Sequence, residues 1–185
     1  MADPRVNSVK PLALWITGLP GSGKSTLAEG VKKNHPDFII LRMDELRRIV
    51  TPKPSYSDSE RDMVYRCLAY TAHVLVNNGH SVIIDATGNL RAWRKLAREL
   101  IPKYAEVYLR CPLEVCKTRE RLRRDAHGAP REIYKKGEAG WPVPGLTVPY
   151  EEPVNPELLI DIDKTSVADS LEMVTELLKR LQDNS

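Results

Sequence analysis

Apolar and polar positions along this chain switch repeatedly between two periods. Short apolar runs at 12–19 (LALWITGL), 38–43 (FIILRM), 80–87 (HSVIIDAT), 105–111 (AEVYLRC) and 158–163 (LLIDID) read as buried strands. Between them, 25–35, 44–50, 58–79, 91–101, 112–124 and 166–182 carry helical spacing. Ser57 or Asp58 is placed to cap the long helix at 58–79, and Gly79 stands where it stops. The closing helix sets Val167, Leu171, Val174, Leu177, Leu178 and Leu181 on one core-facing stripe. Strands alternating with helices predict an α/β fold in three layers, a mostly parallel five-stranded sheet covered by helices on both faces. Such sheets bind ligands at the carboxyl ends of their strands. The loops after Leu19, Met43, Thr87 and Cys111 are therefore expected to carry the chemistry.

Residues 125–157 break the alternation. They hold six prolines and few periodic apolar positions, which predicts a long functional loop or lid rather than regular structure. The whole chain, 1–185, is expected to form one domain of a size that buries a substantial core. A net charge of +3 is too mild for a nucleic-acid binder. No apolar run is long enough to span a membrane, and MADPRVNSVKP has no apolar leader region. Three cysteines (Cys67, Cys111, Cys116) without framework spacing read as reduced thiols of a cytoplasmic protein. The four histidines form no ligand spacing, and Trp15 reads as core.

One stretch carries strong chemistry. Gly18, Leu19, Pro20, Gly21, Ser22, Gly23, Lys24 and Ser25, followed by Thr26, match the phosphate-loop pattern G-x-x-x-x-G-K-[ST] between a strand and a helix. The glycines let several backbone N–H groups converge on an anion, and the following helix adds its positive end. Lys24 is expected on the β- and γ-phosphates of ATP and Ser25 on Mg²⁺. These residues predict a P-loop NTPase fold. The chain lacks the N-K-x-D guanine-reading motif. A kinase with a second substrate pocket is the favoured reading, and a nucleotide hydrolase or switch is the alternative.

The chain also resembles the adenylylsulfate (APS) kinases, which phosphorylate the 3′-hydroxyl of adenosine 5′-phosphosulfate. The similarity rests on the P-loop and on MDELRR (43–48), YSDSERDMVYR (56–66), CPLEVCKTR (111–119), YKKGEAG (134–140) and VPYEEPVNPEL (148–158), in that order. The resemblance implies that Asp44 supports Mg²⁺ or accepts the proton of the acceptor hydroxyl; as a bare sequence position it also reads as a helix cap. It implies that Arg47 and Arg61 hold the anionic 5′ end of a nucleotide-like acceptor, with Arg66 a turn further on, although arginines on a short helix also read as solvated surface. Lys135 and Lys136 correspond to lysines that close over phosphates, Arg119 to a position near the nucleotide, and Tyr56 to one of two rings that stack the acceptor base. Homodimers are common in the family.

The chain departs from that family at several places. Arg42 stands where the family carries a carboxylate, reversing a charge beside the metal site. Val64 replaces an asparagine, and Val143 replaces the second stacking ring, for which Trp141 is a substitute. The third strand ends in Asp85 and Thr87, as in polynucleotide and small-molecule P-loop kinases. There Asp85 is placed to take over the charge that Arg42 lacks, or to begin a turn. Arg91 and Arg94 keep the basic spacing that follows. These changes leave two acceptors open: APS, or another nucleotide such as cytidine diphosphoramidate.

Overall fold

The computed structural model describes residues 10–123 and 129–183. Arg124, His127 and the N-terminal stretch before Lys10 lie outside the described residues. Five strands and seven helices follow one another: β1 (Ala13–Gly18), α1 (Lys24–Asn34), β2 (Ile39–Arg42), α2 (Met43–Val50), α3 (Asp58–Asn77), β3 (Val82–Asp85), α4 (Arg91–Leu100), β4 (Tyr104–Arg110), α5 (Leu113–Leu122), α6 (Ile133–Glu138), β5 (Leu158–Asp161) and α7 (Val167–Asp183). The strands order as β2-β3-β1-β4-β5, and every pairing is parallel.

Alternation along β1 builds the two faces of the core. Leu12, Leu14 and Ile16 point to one side, where they meet Leu27 and Val31 of α1 and Val174, Leu177 and Leu178 of α7. Ala13 and Trp15 point to the other, against Tyr65, Leu68 and Ala72 of α3 and Trp93 and Ala97 of α4. Trp15, Tyr65 and Trp93 form a ladder of stacked rings with centroids 6.3 and 4.0 Å apart. Trp15 is fully buried and its indole donates to the Ala86 carbonyl at 3.0 Å, so its reading as core holds. Val64, likewise, is a fully buried core residue of α3.

Local signals set the ends of the elements. The Ser57 hydroxyl accepts from the Glu60 N–H at 3.3 Å and caps α3. Gly79, at φ +91°, turns the chain after it. β2 runs into α2 without a loop, and the cap position of α2 is Arg42, whose side chain makes no capping bond. Asp44 is therefore a first-turn residue and not the cap.

The segment at 125–157 differs from expectation. Its described part contains α6, and Tyr134 and Val143 pack with Cys111 and Cys116 into a third, small apolar cluster. The Tyr134 hydroxyl donates to the Pro20 carbonyl at 2.7 Å. Glycine and proline hide this helix from periodicity, because six residues are under two turns. Among the described residues, no helix is long and apolar enough to cross a membrane.

Candidate active site

The phosphate loop joins β1 to α1. Gly23 precedes α1 at φ +98° with no side-chain cap, so the first N–H groups of the helix face the loop. Gly21, at φ +83°, has no room for a side chain: a Cβ would sit 2.4 Å from the Cys116 carbonyl oxygen of α5. Lys24 folds back across the loop and donates to the carbonyls of Gly18 (3.1 Å) and Leu19 (3.0 Å). Burial pulls its pKa below the ordinary lysine value, and the Asp85 carboxylate is the largest charge opposing that shift.

This loop forms one wall of a cavity of about 570 Å³ at the carboxyl ends of β1, β2 and β3. Pro20, Gly21, Gly23, Lys24, Ser25 and Thr26 line it, together with Arg42, Asp44, Asp85 and Thr87, and with Arg47, Tyr56, Arg61 and Arg119 from the helices and loop beyond. The ends of three strands and the starts of two helices thus bring together most of the site residues singled out in the sequence, while Gly18, Leu19 and Ser22 of the loop do not line the cavity. Arg119 is exposed and donates to the Ile162 carbonyl at 3.2 Å.

Asp44 and Asp85 act on one another. Burial raises the pKa of Asp44, Arg47 opposes the rise, and the charge of Asp85 adds to it. Asp85 is buried at the end of β3, beside Arg42 in register on β2. Its Oδ2 lies 3.9 Å from the Arg42 Nε.

Arg47 and Arg61 are buried, at 5% and 7% exposure, and are not solvated surface. Arg47 pairs with Glu60 at 2.7 Å and lies 5.0 Å over the Tyr56 ring. Arg61 donates to the Asn89 side-chain oxygen at 2.6 Å and lies 5.8 Å from the Trp93 ring. Its hydrogen-bond partner is an amide and not a carboxylate. Burial lowers its pKa, and the neighbouring Arg47 charge adds to that effect. Two like charges therefore face one cavity, and only one of them has a strong anionic partner.

Several residues depart from what the sequence suggested. Lys135 and Lys136 do not line the cavity. Lys135 is an exposed partner of Glu132 at 3.7 Å, and Lys136 lies 5.1 Å over the Trp141 ring. Arg66 points outward and pairs with Asp62. Arg94 is a buried structural residue, bonded to Glu106 and to the carbonyls of Gly88 and Glu151. Val143 is buried in the small cluster and presents no face to a ligand. It is Trp141 that meets Tyr56, with ring centroids 4.8 Å apart and planes at 46°. Tyr56 itself holds φ at +56°, a left-handed conformation that is uncommon for a tyrosine.

Three site residues escaped sequence reasoning. Asn89 orients Arg61 and donates to the Pro149 carbonyl at 2.9 Å, tying the arginine to the segment after α6. Tyr65 and Arg123 line the cavity. The only sequence signal for Asn89 was its place two residues beyond Thr87, at a strand's carboxyl end.

The comparisons with known proteins agree with this geometry. The family model described as adenylylsulphate kinase matches residues 10–161. A probable adenylyl-sulfate kinase of Archaeoglobus fulgidus is 40% identical over 157 residues, which cover 82% of this chain and 96% of that protein. A second, from Halalkalibacterium halodurans, is 34% identical and covers 91% of this chain and 83% of that one. Among solved structures, the Mycobacterium tuberculosis APS kinase in complex with AMPPNP and APS superposes with a TM-score of 0.79 at 29% identity. The match covers 92% of this chain and 98% of that one. A P-loop, two buried arginines and two carboxylates around one cavity of a parallel-sheet fold, together with these matches, place the chain in the adenylyl-sulfate kinase family as an ATP-dependent phosphotransferase.

Proposed function

We propose that this enzyme transfers the γ-phosphoryl group of ATP to the 3′-hydroxyl of adenosine 5′-phosphosulfate. One observation carries the reading of an anionic acceptor: Arg61 is a buried cation on the cavity wall whose partner is a neutral amide. A buried charge without an ionic partner is costly, and an incoming anion removes that cost. Arg47, beside it, supplies a second cation. Together they suit a 5′-phosphosulfate. The names of the similar proteins favour APS over a cytidine diphosphoramidate and give no support to a hydrolase or switch.

In this reading the P-loop N–H groups and Lys24 hold the β- and γ-phosphates. The acceptor oxygen attacks the γ-phosphorus in line, the bond from that phosphorus to the β–γ bridging oxygen breaks, and ADP leaves. Asp44 takes the hydroxyl proton. Its burial raises its affinity for that proton. Tyr56 and Trp141 receive the acceptor base, with Lys136 behind the indole and Arg47 behind the phenol. Lys136 thus acts through Trp141 in this reading, Thr87 lines the site, and Lys135 stays outside it.

Mg²⁺ fits the residues present. Asp44 and Asp85, two carboxylates close enough for the charge of Asp85 to raise the pKa of Asp44, line the same cavity as Ser25. Among the described residues no cluster of three or more His, Cys, Asp or Glu forms a protein-only cage. A small oxygen-ligand set completed by phosphates is the usual arrangement for this ion. The ion would supply charge neutralisation at the phosphates.

The test is an acceptor panel. The purified protein is incubated with Mg·ATP and APS, with cytidine nucleotides, with other nucleotides, or with no acceptor, and ADP is followed. ADP released with APS alone is the expected result. Release with another nucleotide alone, or without any acceptor, overturns the proposal.

A further inference from the structure

Arg42 has a surrounding that phosphate transfer alone does not explain. Its guanidinium stands among three carboxylates: Glu29 of α1, Glu45 of α2 and Asp85 of β3. The Glu29 contact is a direct hydrogen bond. Glu45 is 3.6 Å away, and both glutamates are about half exposed. The Asp85 contact differs. At 3.9 Å it is too long for a hydrogen bond, and the Arg42 Nε is a buried donor without a partner. Arg42 is thus anchored outward through its terminal nitrogens, while its Nε faces a buried carboxylate on the cavity wall.

We infer that Arg42 is a built-in counter-ion that competes with the divalent cation for Asp85, and so sets how much Mg²⁺ the enzyme needs. The inference rests on the reading of Asp85 as a metal-side carboxylate. A unit charge about 4 Å away weakens the attraction of a second cation to the same carboxylate. Even screened to the degree of bulk water, that effect amounts to roughly a five-fold change in affinity. The charge is also adjustable. Glu29 and Glu45 offer the guanidinium alternative partners on the solvent side, so Arg42 can yield Asp85 without losing all its ion pairs. Glu29 sets the balance: its bond draws the guanidinium away from Asp85. Arg42 is a positioning residue in this scheme, acting on the metal through Asp85.

The experiment measures the Mg²⁺ midpoint of the full-length protein with the non-hydrolysable analogue AMPPNP, by thermal denaturation and by calorimetry, in parallel with turnover. Arg42→Met is expected to lower the midpoint by roughly 3- to 10-fold, and Arg42→Lys, which keeps the charge, to leave it near the wild-type value. Glu29→Gln, which releases the anchor, is expected to raise it. This opposite sign keeps the idea falsifiable even if Arg42→Met fails to fold. In an Asp85→Asn background the effect of Arg42→Met is expected to vanish, since coupling requires the shared partner. If Asp85→Asn itself leaves the Mg²⁺ midpoint unchanged, the metal role of Asp85 falls and the inference with it. If Asp85→Asn raises the midpoint but Arg42→Met does not lower it, the inference about Arg42 alone is overturned.

Discussion

The two halves of the cavity wall are built in opposite ways. The phosphate side comes from nine consecutive residues, Gly18 to Thr26, and its geometry is local: a strand end, three glycines and the first turn of a helix. The side proposed for the acceptor draws on α2, α3, the loop after β3 and the segment after α6, where Asn89 holds Arg61 and Trp141 meets Tyr56 only when the chain is folded. The phosphate side uses backbone N–H groups that any P-loop supplies. The side proposed for the acceptor uses side chains whose partners lie far away in sequence.

The sharpest way to break this comparison is at the phosphate side. Lys24→Ala is expected to lower turnover by roughly 10²–10³-fold, the usual effect of removing one transition-state donor, with an unchanged circular dichroism spectrum. Asp44→Asn is expected to lower kcat by about 10²-fold or more while KM for ATP changes little. A rate near that of the wild type would remove Asp44 from the proton transfer.

On the acceptor side the effects should fall on KM. Arg61→Met is expected to raise KM for the acceptor by roughly 10- to 100-fold, equivalent to about 1.5–3 kcal/mol for a charged hydrogen bond. KM for ATP should stay near its wild-type value, and Tm should hold or rise, since a buried cation with only an amide partner has been removed. An equal rise in both KM values would show that Arg61 serves the whole cavity.

A matched pair separates the two candidate ring positions. Trp141→Ala should raise the acceptor KM by the equivalent of about 1–3 kcal/mol. Val143→Ala should leave it unchanged and cost about 1–2 kcal/mol of stability by emptying part of the small cluster. Trp141 also reports directly. Trp15 and Trp93 are buried whereas Trp141 is half-buried, so acceptor binding should change intrinsic fluorescence in the wild type and leave Trp141→Phe unaffected.

The smallest effect is on pH dependence. Burial works against the charge of Glu60, but hydrogen bonds from Ser55 and Arg47 outweigh it and hold its pKa below the ordinary 4.5. A depressed carboxylate pKa stabilises the fold above the unfolded value, and that contribution is lost as pH falls through the folded one. Tm should therefore decline below about pH 4.5, and Glu60→Gln should flatten that part of the profile.

Residue by residue, legibility followed the same division. The P-loop was readable because spacing alone encodes it, and so were the five strands, of which β1, β3 and β4 are buried on both faces. Helix α6 was not readable, because six residues cannot display a period and its partner cluster comes from α5 and the P-loop. Arg66 lies five residues after Arg61, about 140° around the helix, so the helical period itself separates the outward Arg66, paired with Asp62, from Arg61, buried on Asn89. Val143 stands at the family's ring position, but tertiary packing puts it in the core and brings Trp141 to Tyr56.

What the sequence determined by itself was the α/β class, the phosphate loop and the order of the family's motifs, because each depends on residue spacing along one or two neighbouring elements. Only the tertiary structure decided that Arg61 is buried on an amide, that Lys135 and Lys136 do not line the cavity, and that Arg42 stands beside Asp85. Each of these is a contact between elements distant in the chain. Its sign, attraction or exposure, is set by burial and by the charges that folding brings within a few ångströms.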